Sequence, residues 1–404
     1  MSNNKYICKI CWQNNINIII KPCGHTMCKM CINNIKKNCC PYCRADIDTY
    51  SNMCFMIHGH TNGITCIEWS HDSIKIASGS MDNTIRITNL NNKDYNIYKG
   101  HNDFVTSIAW SPDGYKLASG SLDNTIHIID ISRNEQINIY NHNDNISSVC
   151  WSPDGKMICF GSYDMIVYIW NINDDSIYKI KGHTNSVKSV SWSQNGRMIA
   201  SGSDDSKIMI WNVENEDITK AKCIYILHGH IGSVFSVSWS PDSKKLASGS
   251  FDTNIGIWLW KEPCNILPIN ENIYLEKGDN NEFHHVKDVT SISWLHDNQH
   301  IVSGSLDMRT CIWYISESKK MIPICEEIYV NHNNIITSVS WSKEGKYIAS
   351  GSWDGIISII KRNMYECNKC NKNVIEYILD NNELLCNECC KDIKDIYKYI
   401  IRIV

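Results

Sequence analysis

"GHNDFVTSIAWSPDGYKLASGSLDNTIHIIDI", residues 100–131, carries the pattern on which the rest of the chain is built. VTSIAW alternates apolar and polar residues as a half-buried strand does, and SPDG is a turn in which proline sets φ and glycine relieves strain. KLASGS is a second strand, LDN a tight turn and TIHIID a third strand, and EQINIY at 135–140 is a fourth. The stretch therefore predicts an antiparallel sheet of four strands.

The same unit occurs seven times. "GHTNGITCIEWSHDSIKIASGSMDNTIRITNL" starts at Gly59, and further copies begin at Asn141, Gly182, Gly229, His284 and Asn331. The anchor histidines are His60, His101, His142, His183, His230, His285 and His332, with intervals of 41 residues at first and then 47, 55 and 47. One four-stranded sheet cannot bury both of its faces, whereas sheets packed radially can. We therefore expect a mainly β protein with a seven-bladed propeller.

The ring needs a closing strand, since the last repeat ends its third strand near Ile360. The strand-like segment NMCFMI, Asn52–Ile57, precedes the first unit and has no partner there. We expect it to complete the last blade.

The GH start, the period in the low forties and the Trp-Asp-like end resemble the WD-repeat family. The resemblance implies a hydrogen-bonded tetrad of His, Ser, Asp and Trp in each blade. Complete sets are His183, Ser201, Asp205, Trp211; His230, Ser248, Asp252, Trp258; and His285, Ser303, Asp307, Trp313. Phe160 replaces the serine of the third repeat, and Thr88, Ile129 and Ile360 replace the tryptophan of the first, second and seventh. We expect those four blades to depend more on packing, and the histidines and aspartates to be structural rather than catalytic.

The same resemblance implies a binding face that carries the GH loops and the turns after the second strands. The residues that precede the turn aspartates are Met81, Leu122, Tyr163, Asp204, Phe251, Leu306 and Trp353. Six of these seven are apolar, and Phe104 in a nearby loop adds another. An exposed apolar ring predicts a protein or peptide substrate site; the alternative is that several members fold down against the next blade.

The first fifty residues hold a dense set of metal ligands. They are Cys8, Cys11, Cys23, His25, Cys28, Cys31, Cys40 and Cys43. Eight such ligands predict two tetrahedral zinc sites, and the two-residue spacing favours Cys40 over the adjacent Cys39. Because so short a segment has little core to bury, zinc is expected to supply its folding free energy, on the order of 10–16 kcal/mol.

This ligand pattern resembles the RING finger. The resemblance implies cross-braced pairing, with Cys8, Cys11, Cys28 and Cys31 on one zinc and Cys23, His25, Cys40 and Cys43 on the other. It also implies that Ile10, Ile35 and Pro41 form a groove for a ubiquitin-conjugating enzyme. Many active members carry an aromatic residue where Ile35 stands.

Arg44 directly follows the last ligand of the RING pattern. The resemblance implies that this arginine bridges the conjugating enzyme and its ubiquitin, with up to five N–H donors in a fixed fork. Such a bridge restricts the motion of the two partners, so catalysis is by orientation, without a covalent intermediate. The alternative is a RING that only binds a partner.

The C-terminal segment repeats the cysteine pattern on a smaller scale. Cys367, Cys370, Cys386 and Cys389 have the spacing of a zinc ribbon and predict one further zinc ion. NVIEYIL-DNNE-LL between the two pairs predicts a hairpin. Ile393, Ile396, Ile400 and Val404 are compatible with one face of a C-terminal helix, which would dock on the propeller or self-associate.

Composition narrows the function. The 404-residue chain has a net charge of −4 and no long apolar run or cleavable signal, so we expect an intracellular protein, cytoplasmic or nuclear, that binds neither nucleic acid nor membrane. The eight isolated cysteines, Cys54, Cys66, Cys150, Cys159, Cys223, Cys264, Cys311 and Cys325, are expected to be small buried side chains.

Three domains are predicted: a RING-type zinc finger at 1–50, a propeller at 51–362 and a zinc-ribbon-like module with a C-terminal helix at 363–404. The joint Ile47–Met53 is short and should hold the zinc finger close to the closing blade. The resemblances imply a RING-type ubiquitin ligase whose partners are a ubiquitin-conjugating enzyme, ubiquitin and a protein or peptide substrate. The alternative is a non-catalytic scaffold. No phosphate loop, catalytic triad or carboxylate pair supports a kinase or hydrolase.

Overall fold

A computed structural model describes residues 54–213, 221–260, 285–315 and 323–362, together with the backbone of short strands at 18–20, 25–27, 273–274, 377–379, 384–385 and 400–402. Every regular element in these residues is a β-strand. The strands before the first repeat are β1 (Ile18–Ile20), β2 (His25–Met27) and β3 (Cys54–His58).

Seven four-stranded antiparallel sheets form the blades of a β-propeller. Blades 1 to 3 contain β4 (Ile64–Trp69), β5 (Lys75–Ser80), β6 (Thr84–Asn89), β7 (Tyr95–Lys99); β8 (Val105–Trp110), β9 (Lys116–Ser121), β10 (Thr125–Asp130), β11 (Glu135–Asn141); and β12 (Ile146–Trp151), β13 (Met157–Ser162), β14 (Ile166–Asn171), β15 (Ile177–Lys181). Blades 4 and 5 contain β16 (Val187–Trp192), β17 (Met198–Ser203), β18 (Ile208–Asn212), β19 (Lys222–Leu227); and β20 (Val234–Trp239), β21 (Lys245–Ser250), β22 (Ile255–Leu259), β23 (Ile273–Tyr274). Blades 6 and 7 contain β24 (Val289–Trp294), β25 (His300–Ser305), β26 (Thr310–Ile315), β27 (Pro323–Tyr329); and β28 (Ile336–Trp341), β29 (Tyr347–Ser352), β30 (Ile356–Lys361). The mainly β propeller expected from the repeats is confirmed.

The first strand of each blade lies on the inside of the ring and contacts the first strands of its two neighbours. The tryptophans that end these inner strands are all buried: Trp69, Trp110, Trp151, Trp192, Trp239, Trp294 and Trp341. The core lies between blades; one cluster joins Ala77 and Ile85 of blade 1 to Val105 and Leu117 of blade 2. Full burial of each large apolar side chain stabilises the fold by roughly 1.5–3 kcal/mol.

A glycine in the second strand sets the distance between neighbouring blades. A Cβ added at Gly79 would lie 2.5 Å from Val105 Cγ1 of the next blade, and one at Gly202 would lie 2.7 Å from Val234 Cγ1. Because real Cβ atoms do not approach so closely, the GS pair of each repeat allows the blades to pack at this spacing.

Each inner strand contains a register shift near its start, between Ile64 and Cys66 in blade 1 and at the same place in the other blades. The extra residue is a threonine in blades 1, 2, 6 and 7, and each of these donates its hydroxyl to a carbonyl of the next inner strand, as Thr106 does to Ile146 at 2.7 Å. In blades 3, 4 and 5 the extra residues are Ser147, Lys188 and Phe235. The bulges therefore join neighbouring blades in four of the seven positions.

The ring closes through the N-terminal strand. β3 pairs antiparallel with β30, with Cys54 opposite Ile360 and His58 opposite Ile356. The closing strand expected at Asn52–Ile57 is confirmed, with bounds at Cys54–His58.

The C-terminal strands are β31 (Tyr377–Leu379), β32 (Leu384–Leu385) and β33 (Ile400–Arg402), which form one sheet in the order β32-β31-β33. The hairpin predicted between the two cysteine pairs is confirmed, with Tyr377 opposite Leu385. The prediction of a C-terminal helix is wrong at Ile400, because this residue lies in a strand opposite Leu379. Consecutive β-branched residues in IIRIV favour a strand over a helix once a partner strand is available.

The isolated cysteines were expected to be buried, and this is confirmed for Cys66, Cys159 and Cys311. It is wrong for Cys223, which is exposed because it lies on the outer strand β19 of blade 4. Cys150 and Cys325 are half-buried, and Cys264 lies outside the described residues.

Candidate functional site

The face of the propeller that carries the GH loops and the turns after the second strands is here named the loop face. In blade 4, His183 Nε2 lies 2.7 Å from Ser201 Oγ, His183 Nδ1 lies 2.9 Å from Asp205, and Trp211 Nε1–H donates to Ser201 at 2.8 Å. Blades 5 and 6 make the same contacts at 2.7 to 3.0 Å. The three complete tetrads expected from the sequence are confirmed.

Blades without the tryptophan keep the rest of the network. His60 lies 2.8 Å from Ser78 Oγ and 3.0 Å from Asp82, and blades 2 and 7 make the same two contacts. The expectation that packing takes over in these blades is therefore too strong, since only the tryptophan bond is lost. In blade 2 the His127 ring stacks on His101 at 3.9 Å, two residues before the missing tryptophan and on the same face of the strand.

Blade 3 replaces the tetrad with aromatic packing. Phe160 stacks on Tyr168 with ring centres 4.9 Å apart, and Tyr168 O–H donates to Asp164 at 2.5 Å. His142 Nε2 lies 3.4 Å from Asp164, outside hydrogen-bond geometry, and Trp170 Nε1–H donates to Asp175 instead. The packing expected at Phe160 is confirmed.

The electrostatics of the tetrads show a structural role. Burial lowers the pKa of His60 and of His183 in spite of their aspartate partners. Burial opposes ionisation of Asp82, but hydrogen bonds from Thr84 and Thr61 and the contact with His60 outweigh it and lower its pKa to about 2. A neutral imidazole that donates from Nδ1 and accepts at Nε2 satisfies both partners. These groups are engaged with one another and are not poised for proton transfer to a substrate.

The ring of residues predicted to bind substrate is held by one repeated backbone bond. The N–H groups of Met81, Leu122, Tyr163, Asp204, Phe251, Leu306 and Trp353 each donate to a GH-loop carbonyl at 2.9 to 3.2 Å. Phe251 is 57% exposed, Trp353 47% and Phe104 37%, whereas the other apolar members are half-buried. Trp353 also lies over Gly63 of the next blade, where an added Cβ would be 3.2 Å from its Cδ1. Phe251, Trp353 and Phe104 are therefore accessible to a partner, whereas the other apolar members are partly covered.

Two exposed apolar residues of the loop face were not among the binding residues predicted from the sequence. Ile231 is 89% exposed and Val286 is 63% exposed. Each follows an anchor histidine directly, and its backbone N–H donates to the tetrad aspartate, Asp252 or Asp307, at 3.0 or 3.1 Å. The signal was present in the sequence, because the other five repeats carry a polar residue there: Thr61, Asn102, Asn143, Thr184 and Asn333.

The neighbouring bulge residues extend this surface toward the centre of the ring. Phe235 packs edge-to-face on Phe251, with ring centres 6.3 Å apart. Lys188 of blade 4 lies 3.1 Å from Asp204 and 4.3 Å from the ring centre of Tyr163. Ile231, Phe235, Phe251 and Val286 on blades 5 and 6 are here named the apolar arc. A charged pair beside an apolar surface is the composition expected of a protein-binding site.

The N-terminal ligand set fits zinc by its chemistry. Seven thiolates and one imidazole are the donors that tetrahedral zinc prefers. β1 and β2 pair with Ile20 opposite His25, so Cys23 belongs to the short connection between paired strands. Zinc bound by Cys8, Cys11, Cys23, His25, Cys28, Cys31, Cys40 and Cys43 would supply the folding free energy of this segment.

The remaining predicted residues lie outside the described residues. They are Ile10, Ile35, Pro41, Arg44, Cys367, Cys370, Cys386 and Cys389, and with them all the zinc ligands except the backbone of His25. No described residue lies in a helix that is long and apolar enough to cross a membrane.

Comparison with known families agrees with the fold. The family described as WD domain, G-beta repeat matches residues 51–89, 92–130, 134–171, 174–212, 221–258, 280–314 and 324–361. Its first match includes β3, so six of the seven matches join the outer strand of one blade to three strands of the next; the match at 280–314 begins after β23. The C3HC4-type zinc finger (RING finger) family matches residues 4–50, which implies bound zinc, and both domain types imply interactions with other proteins. The chain therefore belongs to the WD-repeat family and combines a seven-bladed propeller with an N-terminal RING-type zinc finger.

Proposed function

We propose that this protein is a RING-type ubiquitin ligase that docks a ubiquitin-conjugating enzyme on residues 4–50 and recruits a protein substrate through the loop face of its propeller. The observation that carries the proposal is the combination, in one chain, of a RING-finger match and a propeller with exposed apolar residues on one face. The tetrads of the described residues are engaged in structural bonds, which is consistent with a chain that contributes no nucleophile or base.

The proposed mechanism places the chemistry on the partner enzyme. The thioester between ubiquitin and the conjugating enzyme is already reactive, so the ligase needs only to restrict the two partners to a productive geometry. Ile10, Ile35 and Pro41 would supply the apolar docking groove. Arg44 would donate to both partners at once, because its guanidinium carries five N–H donors in a rigid fork.

Substrate recruitment is assigned to the apolar arc and its charged neighbours. Ile231 is 89% exposed and Val286 is 63% exposed, and Phe251 packs on the bulge residue Phe235. Burial of this surface by a partner would contribute most of the affinity, and the pair of Lys188 and Asp204 at its edge would contribute orientation. We therefore infer a protein or peptide substrate with apolar side chains.

A single-turnover discharge assay tests the ligase activity. The full chain should accelerate release of ubiquitin from a charged conjugating enzyme, across a panel of such enzymes. Arg44→Ala should reduce the acceleration at least tenfold without loss of zinc or of partner binding, whereas Ile10→Ala should weaken docking itself. If the wild-type chain has no effect with any enzyme of the panel, the non-catalytic scaffold becomes the better interpretation.

Substrate capture tests the propeller separately. Ile231→Asp and Phe251→Asp should abolish capture of a protein partner by the full chain and leave discharge without substrate unchanged. Tyr115→Asp is the matched control, because Tyr115 is 65% exposed but follows an SPDG turn on the opposite face. Equal capture by all three variants would contradict the assignment of the apolar arc.

A further inference from the structure

The face opposite the loop face carries the seven turns that join first and second strands; it is here named the turn face. In every blade the fourth residue of this turn donates its N–H to the carbonyl of the first, as Gly114 does to Ser111 at 2.8 Å and Ser73 does to Ser70 at 2.9 Å. The second residue of the turn therefore occupies one equivalent position around the ring. These residues are His71, Pro112, Pro153, Gln194, Pro241, His296 and Lys343 for blades 1 to 7.

Three neighbouring blades depart from the proline that suits this position. Proline fixes the φ angle that the second residue of such a turn requires. Blades 6, 7 and 1 instead carry His296, Lys343 and His71, one basic residue each, and all three are exposed. Blade 4 also departs, with Gln194, so three of the four departures are to a basic residue, and those three lie on adjacent blades. This grouping points to a role beyond the turn itself.

The three turns lie side by side. Lys343 N–H donates to Ser73 Oγ of blade 1 at 3.0 Å. A Cβ added at Gly345 of blade 7 would lie 2.7 Å from Leu295 of blade 6, the residue before His296. The basic residues are thus on adjoining turns, with Lys343 in the middle.

Each of the three basic residues is directly followed by an acidic one, Asp72, Asp297 or Glu344. Asp72, Asp113 and Asp297 accept hydrogen bonds from groups of their own turns or strands. Asp72 Oδ1 accepts from Ser70 and Ile74, and Asp113 Oδ1 accepts from Ser111 and Tyr115. Asp297 pairs with His300. Among the described residues, no hydrogen bond or ion pair joins the Lys343 ammonium to another side chain. The Lys343 ammonium is therefore not neutralised by a direct contact with a carboxylate of the described residues.

The two imidazoles respond to this environment. Burial and the Lys343 charge lower the pKa of His71, against smaller contributions from Ser111, Asp72 and Asp113. Burial, Lys343 and His71 lower the pKa of His296, against Asp297. An anion placed among the three groups would reverse both shifts by favouring the protonated rings.

We propose that His71, His296 and Lys343 form a binding site for a phosphate-type oxyanion on the turn face. A tetrahedral dianion offers three oxygens and two charges to three donors on three adjoining turns, whereas a carboxylate offers two oxygens and one charge. Binding takes up protons on the imidazoles, so an oxyanion that keeps two charges from pH 6 to pH 8 binds more tightly at pH 6. The site is independent of the ligase activity and of the apolar arc.

Isothermal titration of the full chain with inorganic phosphate, at low ionic strength and pH 6.0 and 8.0, tests the proposal. Inorganic sulfate is titrated in parallel, because it stays a dianion at both pH values, and it should bind more tightly at pH 6.0. Lys343→Gln, His71→Gln and His296→Gln are the variants, because blade 4 already carries Gln194 at this position and the turn accepts it. Each is expected to weaken phosphate binding at least fivefold, and the triple variant to abolish it. Lys244→Gln, an exposed lysine on the turn face of blade 5, should bind as the wild type does.

Proton NMR of the imidazole Cε1–H signals, followed as a function of pH, gives a second measurement of phosphate binding. Phosphate should raise the midpoints of two histidine titrations in the wild type and in Lys244→Gln, and of none in the triple variant. Absence of phosphate binding at pH 6.0, or equal binding by wild type and Lys343→Gln, overturns the proposal. Thermal denaturation of each variant confirms that loss of binding is not loss of fold.

Discussion

Glu68 shows how a single residue can depart from the repeat at a cost in stability. It stands on the inner strand β4, where other blades have Ser191, Ser238, Ser293 or Ser340. Its Oε2 accepts the N–H of Trp110 at 2.8 Å, and Ser191 Oγ accepts the equivalent N–H of Trp239 at 3.2 Å. The Glu68 carboxyl group therefore accepts the same hydrogen bond from the next blade that a serine hydroxyl accepts elsewhere in the ring. Burial raises the pKa of Glu68 to about 8, against the opposing bond from Trp110.

This shift predicts a loss of stability as pH rises. Between the ordinary pKa of 4.5 and about 8 the folded chain holds a proton that the unfolded chain has released, so the free energy of unfolding falls with pH across this window. Glu68→Gln should remove a pH dependence on the order of 3 kcal/mol between pH 5 and pH 8. Denaturant unfolding at several pH values measures it, with Glu68→Ser as the variant that mimics other blades. A slope unchanged in both variants would contradict the assignment.

Ser201 and Ser119 occupy the same position in two blades with different networks. Ser201 Oγ forms hydrogen bonds with both His183 and Trp211, whereas Ser119 Oγ forms one with His101. Each buried polar group left without a partner costs about 1–3 kcal/mol. Ser201→Ala should therefore destabilise the propeller more than Ser119→Ala does, by about 1 kcal/mol or more. Chemical denaturation of the two variants tests this, and equal losses would show that the tryptophan bond contributes little.

At the scale of elements, β3 is the strand on which the ring depends. It completes blade 7 through five paired residues, and its Ile57 packs against the core between blades 7 and 1. Its absence would leave β30 as an unpaired edge and expose that core.

Removal of β3 should therefore unfold or aggregate the propeller, while removal of the residues before it should not. A variant that lacks residues 1–58 loses the strand, and one that lacks residues 1–52 keeps it. Thermal unfolding and size-exclusion chromatography of the two compare the effect directly. If both variants stay monomeric with the same midpoint, the three remaining strands of blade 7 suffice for closure.

At the scale of the whole molecule, we expect zinc binding and the propeller core to contribute folding free energy separately. In the described residues no three metal-ligating side chains come together, and the core consists of apolar clusters between blades. The predicted ligands all belong to the two terminal segments.

Elemental analysis should find about three zinc ions per chain, two of them from the first fifty residues. A chelator should remove them and abolish ubiquitin discharge, while the thermal transition of the propeller stays within a few degrees of its original midpoint. Cys28→Ser provides the matched genetic test of the N-terminal sites. Loss of the propeller transition upon chelation would mean that the zinc modules stabilise the ring as well.

Strand positions and the number of blades followed from the residues alone, and the tetrads followed from the resemblance to the WD-repeat family. Alternation in VTSIAW, the SPDG turn and the GS glycine are local signals, and sevenfold repetition makes each of them stronger. The RING-type zinc finger was also predictable, since short cysteine spacings specify a metal site without reference to the rest of the chain, and the family match at residues 4–50 agrees.

Exposure and long-range proximity were decided only by tertiary structure. Phe251 and Leu306 hold the same place in the repeat, yet Phe251 is exposed and Leu306 is half-buried. Ile400 follows a helical spacing in the sequence but joins a strand once β31 offers backbone partners. His71 and Lys343 are neighbours only because β3 closes the ring and brings the first turn beside the last. Such contacts depend on the packing of distant segments, and no local pattern of residues encodes them.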